Sequence, residues 1–271
     1  MANNQPASLA AVVADAGGLG TIPAAALSPD ALRDAVRDVR AATDGPFGVN
    51  VFAPPFLRDR LVEVVLAERP RFFSFTFGIV DTAPFREAGI AVLGTATTPE
   101  EAAALEAAGV DAVVAQGAEA GGHRGTFLGS FDDGLVPLDE LLESISVSVP
   151  VVAAGGIVDA GDVRRVRARG AAAVQVGTAF LFTRECGTAR EHLDALRRYE
   201  TVVTPAYTGR HMRAARTPVL DELMQSEPLP FPEQRAVSAR LGPVYMGGAA
   251  ARRAKTQSAA ELVAELARGF A

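Results

Sequence analysis

Apolar and polar residues alternate along the first two thirds of this chain in a repeating long–short rhythm. Leu9, Val12 and Val13 recur at helical spacing to about Ala16, and Gly17-Gly18 then breaks the run. Leu19-Gly20-Thr21-Ile22 reads as a short buried strand. Ser28-Pro29 supplies an N-cap and a first-turn proline for a helix with Leu32, Val36 and Val39 on its inner face. Phe47 to Phe52 is too continuously apolar for a half-exposed strand and is expected to be buried on both faces. The unit recurs with a helix over about Leu57 to Glu68 and a strand over Phe72 to Phe75. A short helix over Thr82 to Ala88 and a strand over Ile90 to Gly94 follow.

Thr98-Pro99-Glu100-Glu101 is the clearest helix start, joining an N-cap threonine, a first-turn proline and a capping-box glutamate. Gly109 ends that helix, and Asp111 to Ala115 is the next strand. Leu138, Leu141, Leu142 and Ile145 mark a helix. Pro150 to Ala154 is a strand, Asp159 caps a helix running to Gly170, and Ala173 to Val176 is the last strand. The chain from about Tyr199 to Gly248 is proline-rich and aperiodic, and a helix over Ala259 to Ala267 closes it.

Strands alternating with helices, and apolar along their length, imply a parallel sheet. Seven strands led by a helix predict an α/β protein of the TIM (β/α)₈-barrel type that lacks its first strand. The division expected is a barrel over 1–198 and tail segments with a small helical C-terminal region over 199–271, packing over the site. A doubly wound sheet is the alternative.

Composition narrows the classes. In 271 residues, 49% are hydrophobic and 21% charged, as in a globular chain with a sizeable core. The formal charge of −6 argues against a nucleic-acid partner. No run is long enough to span a bilayer, and the first residues lack the pattern of a signal peptide. One cysteine, Cys186, excludes an intramolecular disulfide and fits a reducing cytoplasm; a structural role is expected for it.

Candidate chemistry collects at the predicted strand ends. The stretch Gln116-Gly117-Ala118-Glu119-Ala120-Gly121-Gly122-His123-Arg124-Gly125 carries one of three histidines in a glycine-rich loop. A solvated surface turn is the plain alternative to a site. Gly155-Gly156-Ile157 and Gln175-Val176-Gly177-Thr178 end the last two strands, where barrels hold phosphate groups. Tight turns alone would also need such glycines. Asn50 and Gln116 could meet the polar edge of a flavin ring or merely satisfy local backbone. His123, His192 and His211 are too scattered for a metal; His192 is expected to be exposed, and His211 to lie at the surface, with a place facing the pocket as its alternative. Neither a P-loop nor a convincing dinucleotide fingerprint is present.

These blocks, with Ala16 to Gly20, Gly48 to Phe52, Ser74 to Gly78, Tyr207 to Arg210 and Met246 to Gly248, occur in an order that resembles the nitronate monooxygenases, formerly called 2-nitropropane dioxygenases. The resemblance covers nearly the whole chain. It implies an FMN-binding barrel in which Asn50, Gln116, Gly121, Gly122, Gly155, Gly156, Gln175, Val176, Gly177 and Thr178 contact the cofactor. His123 would be the catalytic base toward neutral nitroalkanes, with Arg124 lowering its pKa if close. The substrates implied are a nitronate or nitroalkane and oxygen, giving a carbonyl compound and nitrite. A homodimer is compatible with this, with no nucleic-acid or membrane partner. Relatives of this kind usually begin with a strand ending in Pro-Met-Ala, and Met1-Ala2 falls where its last residues would be, so a late start is expected. Two other readings stand beside this one: an NAD(P)H-dependent flavin reductase of quinones or enoyl-ACP, and a non-catalytic chain that holds flavin poorly.

Overall fold

Seven parallel strands form a curled sheet, each hydrogen-bonded to the next. They are β1 (Gly20–Pro23), β2 (Phe47–Phe52), β3 (Phe72–Thr76), β4 (Ala91–Ala96), β5 (Ala112–Gln116), β7 (Val151–Ala154) and β8 (Ala173–Gln175). The computed structural model describes residues 6–53 and 59–271. Among these residues β1 and β8 do not pair with each other, so the barrel is an open half-barrel, as the strand count predicts.

Helices cover the outer face: α1 (Ala7–Asp15), α2 (Pro29–Ala42), α3 (Asp59–Glu68), α4 (Ala83–Glu87), α5 (Pro99–Ala107), α6 (Leu138–Ser144) and α7 (Ala160–Arg167). Leu57, expected at the start of α3, lies outside the described residues. Local chemistry sets the other starts. Ser28 Oγ accepts the Ala31 N–H at 3.2 Å, and Asp159 Oδ1 accepts the Asp162 N–H at 3.0 Å. The strands are apolar on both faces because one side meets these helices and the other fills the barrel interior. Val49, Phe73, Phe75, Val92 and Val113 are fully buried, and Phe73 stacks on Phe85 with ring centroids 4.1 Å apart.

The capping box expected at Thr98 is half formed. Thr98 Oγ1 accepts the Glu101 N–H at 3.2 Å, but the Glu101 carboxylate does not return to the cap. It accepts from Thr97 N, Thr97 Oγ1 and Leu128 N at 2.6, 2.8 and 2.9 Å, and from Phe127 N. The carboxylate is fully buried, so it takes several donors at once and ties the loop after β5 to the start of α5.

The chain beyond β8 is less irregular than its sequence suggests. After α8 (Thr178–Leu181) and α9 (Arg190–Arg198) come β9 (Thr201–Thr204) and β10 (Met212–Ala215), then α10 (Pro218–Leu223) and α11 (Gln234–Ser238). Both strands join the two-residue β6 (Gly122–His123) in an antiparallel sheet of order β6-β10-β9. The final helix, α12 (Ala259–Ala267), falls where the sequence places it. It packs against α1, α7 and α8, closing the helical layer where the strands stay open.

Candidate active site

The loop from Gln116 to Gly125 leaves the C-terminal end of β5, the end at which half-barrels and barrels of this kind place their chemistry. It is not a free turn. Gly122 and His123 are paired with Arg213 and Met212 of β10, and the Arg124 N–H donates to the His211 carbonyl at 2.8 Å. Gly121 lies so close to the Met246-Gly247-Gly248 segment that a Cβ there would sit 2.5 Å from Gly248 N. Only glycine fits that approach.

Gln116 and Arg124 fix the loop from within. Gln116 Nε2 donates to the His123 carbonyl at 3.1 Å, and its Oε1 accepts the Gly125 N–H at 2.8 Å. Both ends of that amide therefore serve local backbone. Arg124 is fully buried and points away from the His123 ring's surroundings into the loop base. Its Nη1 donates to the Gly117 carbonyl at 2.6 Å, and its Nη2 to the Gln116 and Gly134 carbonyls at 2.7 and 2.9 Å. Arg124, expected to lower the histidine's pKa if close, serves as a backbone clamp, and the side-chain charges that act on His123 are those of Arg210 and Arg235.

His123 is the ring these restraints present. Its Nε2 lies 3.0 Å from Thr208 Oγ1. Three phenylalanines present themselves edge-on around it, Phe52, Phe77 and Phe231, with centroids 6.3, 5.9 and 5.6 Å away. Burial above all, with the positive charges of Arg210 and Arg235 among the lesser causes, pushes its pKa down to about 3. The imidazole is therefore neutral at physiological pH. Phe77 carries φ of +83°, a conformation that costs a bulky residue about 1–3 kcal/mol and that recurs at functional sites. Its ring packs at a tilt of 38° against Phe52, centroids 4.6 Å apart, and the Arg210 guanidinium lies over it, Cζ 3.9 Å from the ring centroid. The sequence motifs contain Phe52, Phe77, Thr208 and Arg210, but nothing in their spacing assigns them to His123; Phe231 carried no signal at all.

The cofactor candidates fall into two groups. Gly155 and Gly156 have φ of +117° and +69°, and a Cβ at Gly155 would stand 3.0 Å from Ala120 N. Gln175 and Gly177 are exposed at the end of β8, and a Cβ on Gly177 would meet open space. Gly177 thus offers bare backbone with open space beside it, while Gly155 and Gly156, at the adjacent strand end, lie close against Glu119 and Ala120. The second group is engaged internally. Asn50 Nδ2 donates to Ser74 Oγ at 2.9 Å, Thr178 Oγ1 accepts the Gly248 N–H at 2.9 Å, and Gln116 and Gly121 act as above. Gly122 keeps open space at its Cβ position with φ of +76°.

Two histidines differ from expectation. His192 is buried, not exposed: it faces inward from α9, with Nε2 2.8 Å from the Met246 carbonyl. The charged residues around it occupy the other side of an amphipathic helix. The ring of His211 packs on Phe131 at 4.2 Å with Nδ1 buried, so it is a packed residue of the loop base. Cys186 is buried with Leu9 and Ala259 nearby, as a structural cysteine should be. Among the described residues no cluster of three or more His, Cys, Asp or Glu could hold a metal, and no helix is long and apolar enough to cross a membrane.

A parallel half-barrel with a histidine-bearing loop at the C-terminal end of its strands defines an enzyme of the TIM-barrel type. The family model for nitronate monooxygenases matches residues 1–60 and 55–269. A nitronate monooxygenase of Paraburkholderia phytofirmans is 36% identical, covering 99% of this chain and 90% of its own length. One from Pseudomonas aeruginosa is 39% identical over 76% of this chain and 72% of its own. Among solved structures, nitroalkane oxidase from Streptomyces ansochromogenes superposes with a TM-score of 0.93 at 35% identity, covering 100% of this chain and 94% of that one. FabK from Thermotoga maritima follows with 0.85 at 30%, covering 100% and 90%. The chain belongs to the nitronate monooxygenase family, oxidoreductases that act on nitronates and nitroalkanes.

Proposed function

We propose that this protein uses FMN and oxygen to convert alkyl nitronates, and neutral nitroalkanes less well, to a carbonyl compound and nitrite. The observation that carries this reading is His123, held neutral inside a phenylalanine-lined site at the mouth of a half-barrel of this family. The backbone of Gly155, Gly156, Gln175, Val176, Gly177 and Thr178 would take the phosphate end of FMN, and Asn50 and Gly122 its ring side. Gln116 and Gly121 support it by holding the loop. Bound there, the flavin would accept an electron from the nitronate, and oxygen would complete the oxidation.

The residues themselves exclude water and hold the proton balance. Phe52, Phe77 and Phe231 keep the surroundings of His123 apolar, and Thr208 fixes its ring. A general base works best with a pKa near the operating pH. An imidazole pushed down to about 3 is a weak acceptor for the α-carbon proton of a nitroalkane. A nitronate has already lost that proton, so it is the better substrate.

Purified protein should show a flavin spectrum and release nitrite from a nitronate in air. His123→Asn should lower turnover of the neutral nitroalkane by about 100-fold, the low end for a general base as befits a weak one, and that of the nitronate by far less. The enzyme side of the nitronate profile should show no histidine titration between about pH 5 and 8. Equal loss on both substrates would make His123 a binding group and not a base. The likeness to FabK supports one competing reading, an NAD(P)H-dependent flavin reductase. Anaerobic bleaching by NADPH with no nitrite from nitronates would establish that reading in place of the first.

A further inference from the structure

Arginines crowd the loop that carries His123, and they are bonded in an unusual way. Arg124, Arg210 and Arg213 each donate to backbone carbonyls. Among the described residues none of the three has a carboxylate within ion-pair distance, although acidic residues outnumber basic ones in the chain, 32 to 26. Two are offset at longer range: Glu119 and Glu101 act on Arg124, and Glu119 on Arg213. Arg210 stands apart. The carboxylate that acts on it is Glu101, which already accepts from Thr97 N, Thr97 Oγ1, Phe127 N and Leu128 N.

Arg210 also shares a ring contact with the histidine and lowers its pKa by its charge. Its guanidinium lies over Phe77, Cζ 3.9 Å from the ring centroid, and the Phe77 ring in turn meets His123 at 82°, centroids 5.9 Å apart. Nη2 donates to the Thr126 carbonyl and Nε to the Arg124 carbonyl at 3.5 Å, which leaves the Nη1 hydrogens with no acceptor among the described residues. Arg235 adds a second positive charge from above, seated 5.2 Å from the centre of the Tyr207 ring. The side chains whose charges act on His123 are thus both arginines, and no carboxylate lies within ion-pair distance of its ring among the described residues. A planar guanidinium with free donors, in an apolar setting, matches an anion whose charge is shared by two coplanar oxygens. A nitronate is such an anion; a nitroalkane is neutral.

We infer that Arg210, reinforced by Arg235, is the specificity-determining residue that selects the anionic nitronate over its neutral nitroalkane. This rests on the proposed activity and adds a recognition element to it. The same charge attracts other small planar oxyanions, including the product nitrite.

The experiment compares one nitronate with the nitroalkane of the same carbon skeleton, in the wild-type holoenzyme and in Arg210→Lys, Arg210→Met and Arg235→Gln. Arg210→Met should lose about tenfold more kcat/KM on the nitronate than on the nitroalkane, the factor expected for one charge-assisted contact. Its dependence on ionic strength should flatten. Arg210→Lys should recover part of the ratio. Arg235→Gln, at an exposed position, should shift the ratio by about twofold in the same direction, the size of a screened surface charge. Calorimetric binding of nitrate, a planar oxyanion that is not turned over, should weaken about tenfold in Arg210→Met. Parallel losses on both substrates, with nitrate binding unchanged, overturn the inference. If Arg210→Met does not fold, an unaltered substrate ratio and salt slope in Arg235→Gln overturn it instead. A wild-type enzyme that releases no nitrite defeats the proposed activity, while the nitrate titrations still decide the role of Arg210.

Discussion

The parallel wall of the half-barrel and the small antiparallel sheet over its mouth are held together by different balances of forces. In the wall, Phe73, Phe75, Val92, Leu105 and Val113 are sealed from solvent and packed on one another. In the β6-β10-β9 sheet the strands are two and four residues long, and residues 201–203 of β9 are half-exposed. Only the β10 side buries an apolar cluster, Met212 and Ala214 with Tyr207, Leu220 and Leu223, and arginines add cohesion by reaching across to carbonyl oxygens. Apolar burial is non-directional and tolerates relaxation, whereas an arginine clamp places a backbone within tenths of an ångström. The difference suits the two tasks, since the wall must be stable and the mouth must hold His123, Gly121 and Gly122 in place.

A deletion in the wall should have the largest effect. Phe73 is fully buried in β3 and stacked on Phe85, so Phe73→Ala should cost about 3–5 kcal/mol of stability. Urea unfolding would read it as one cooperative transition moved to lower denaturant, with the wall and the mouth lost together. If only the β9 and β10 amides became less protected from hydrogen exchange, the wall would not be the frame on which the mouth depends.

Arg213→Met tests the other half of the contrast. Arg213 Nε donates to the Ala118 carbonyl at 2.9 Å and Nη1 to the Thr201 carbonyl at 3.0 Å, joining the His123 loop, β10 and β9. Leaving those carbonyls without a donor should cost about 1–3 kcal/mol. The loss should be local: hydrogen exchange should speed up in β9, β10 and β6 while β2 to β4 keep their protection. A uniform loss of protection across β2 to β4 would erase the distinction between a clamped mouth and a packed wall.

The same division explains what could be read from the residues in order. The wall was readable because its signals are local: Ser28-Pro29, the apolar run at Phe47 to Phe52 and the spacing of Leu138, Leu141 and Leu142 each act within one element. The mouth was readable only as a glycine-rich loop with a histidine. β6 consists of two residues and exists because β10, about 90 positions later, pairs with it, so no periodicity could announce it. Gln116 and Arg124 were visible as residue types, yet their partners are carbonyl oxygens, which every residue carries and no sequence pattern distinguishes. Glu101 shows how the two meet. Its position three residues after Thr98 is a local capping signal, but the N–H groups of Thr97, Phe127 and Leu128 take its carboxylate instead. His192 was misplaced because the charges flanking it describe the outer face of α9 and not its own.

The smallest effect decides to which region the end of the chain belongs. α12 follows the tail in sequence, but its buried residues Ala259, Leu262 and Leu266 pack into the wall's helical layer beside α1 and α7. Its start is a complete capping box: Ser258 Oγ accepts the Glu261 N–H at 3.1 Å, and Glu261 Oε2 accepts the Ser258 N–H at 2.6 Å. Ser258→Ala removes the hydroxyl acceptor and should cost about 1 kcal/mol. If α12 closes the wall where β1 and β8 leave it open, that small loss must appear in the global transition, with the exchange of α1, α7 and α12 rising together. Exchange confined to α12 would instead mean that its docking contributes little to the wall, and that the open edge between β1 and β8 is stable without it.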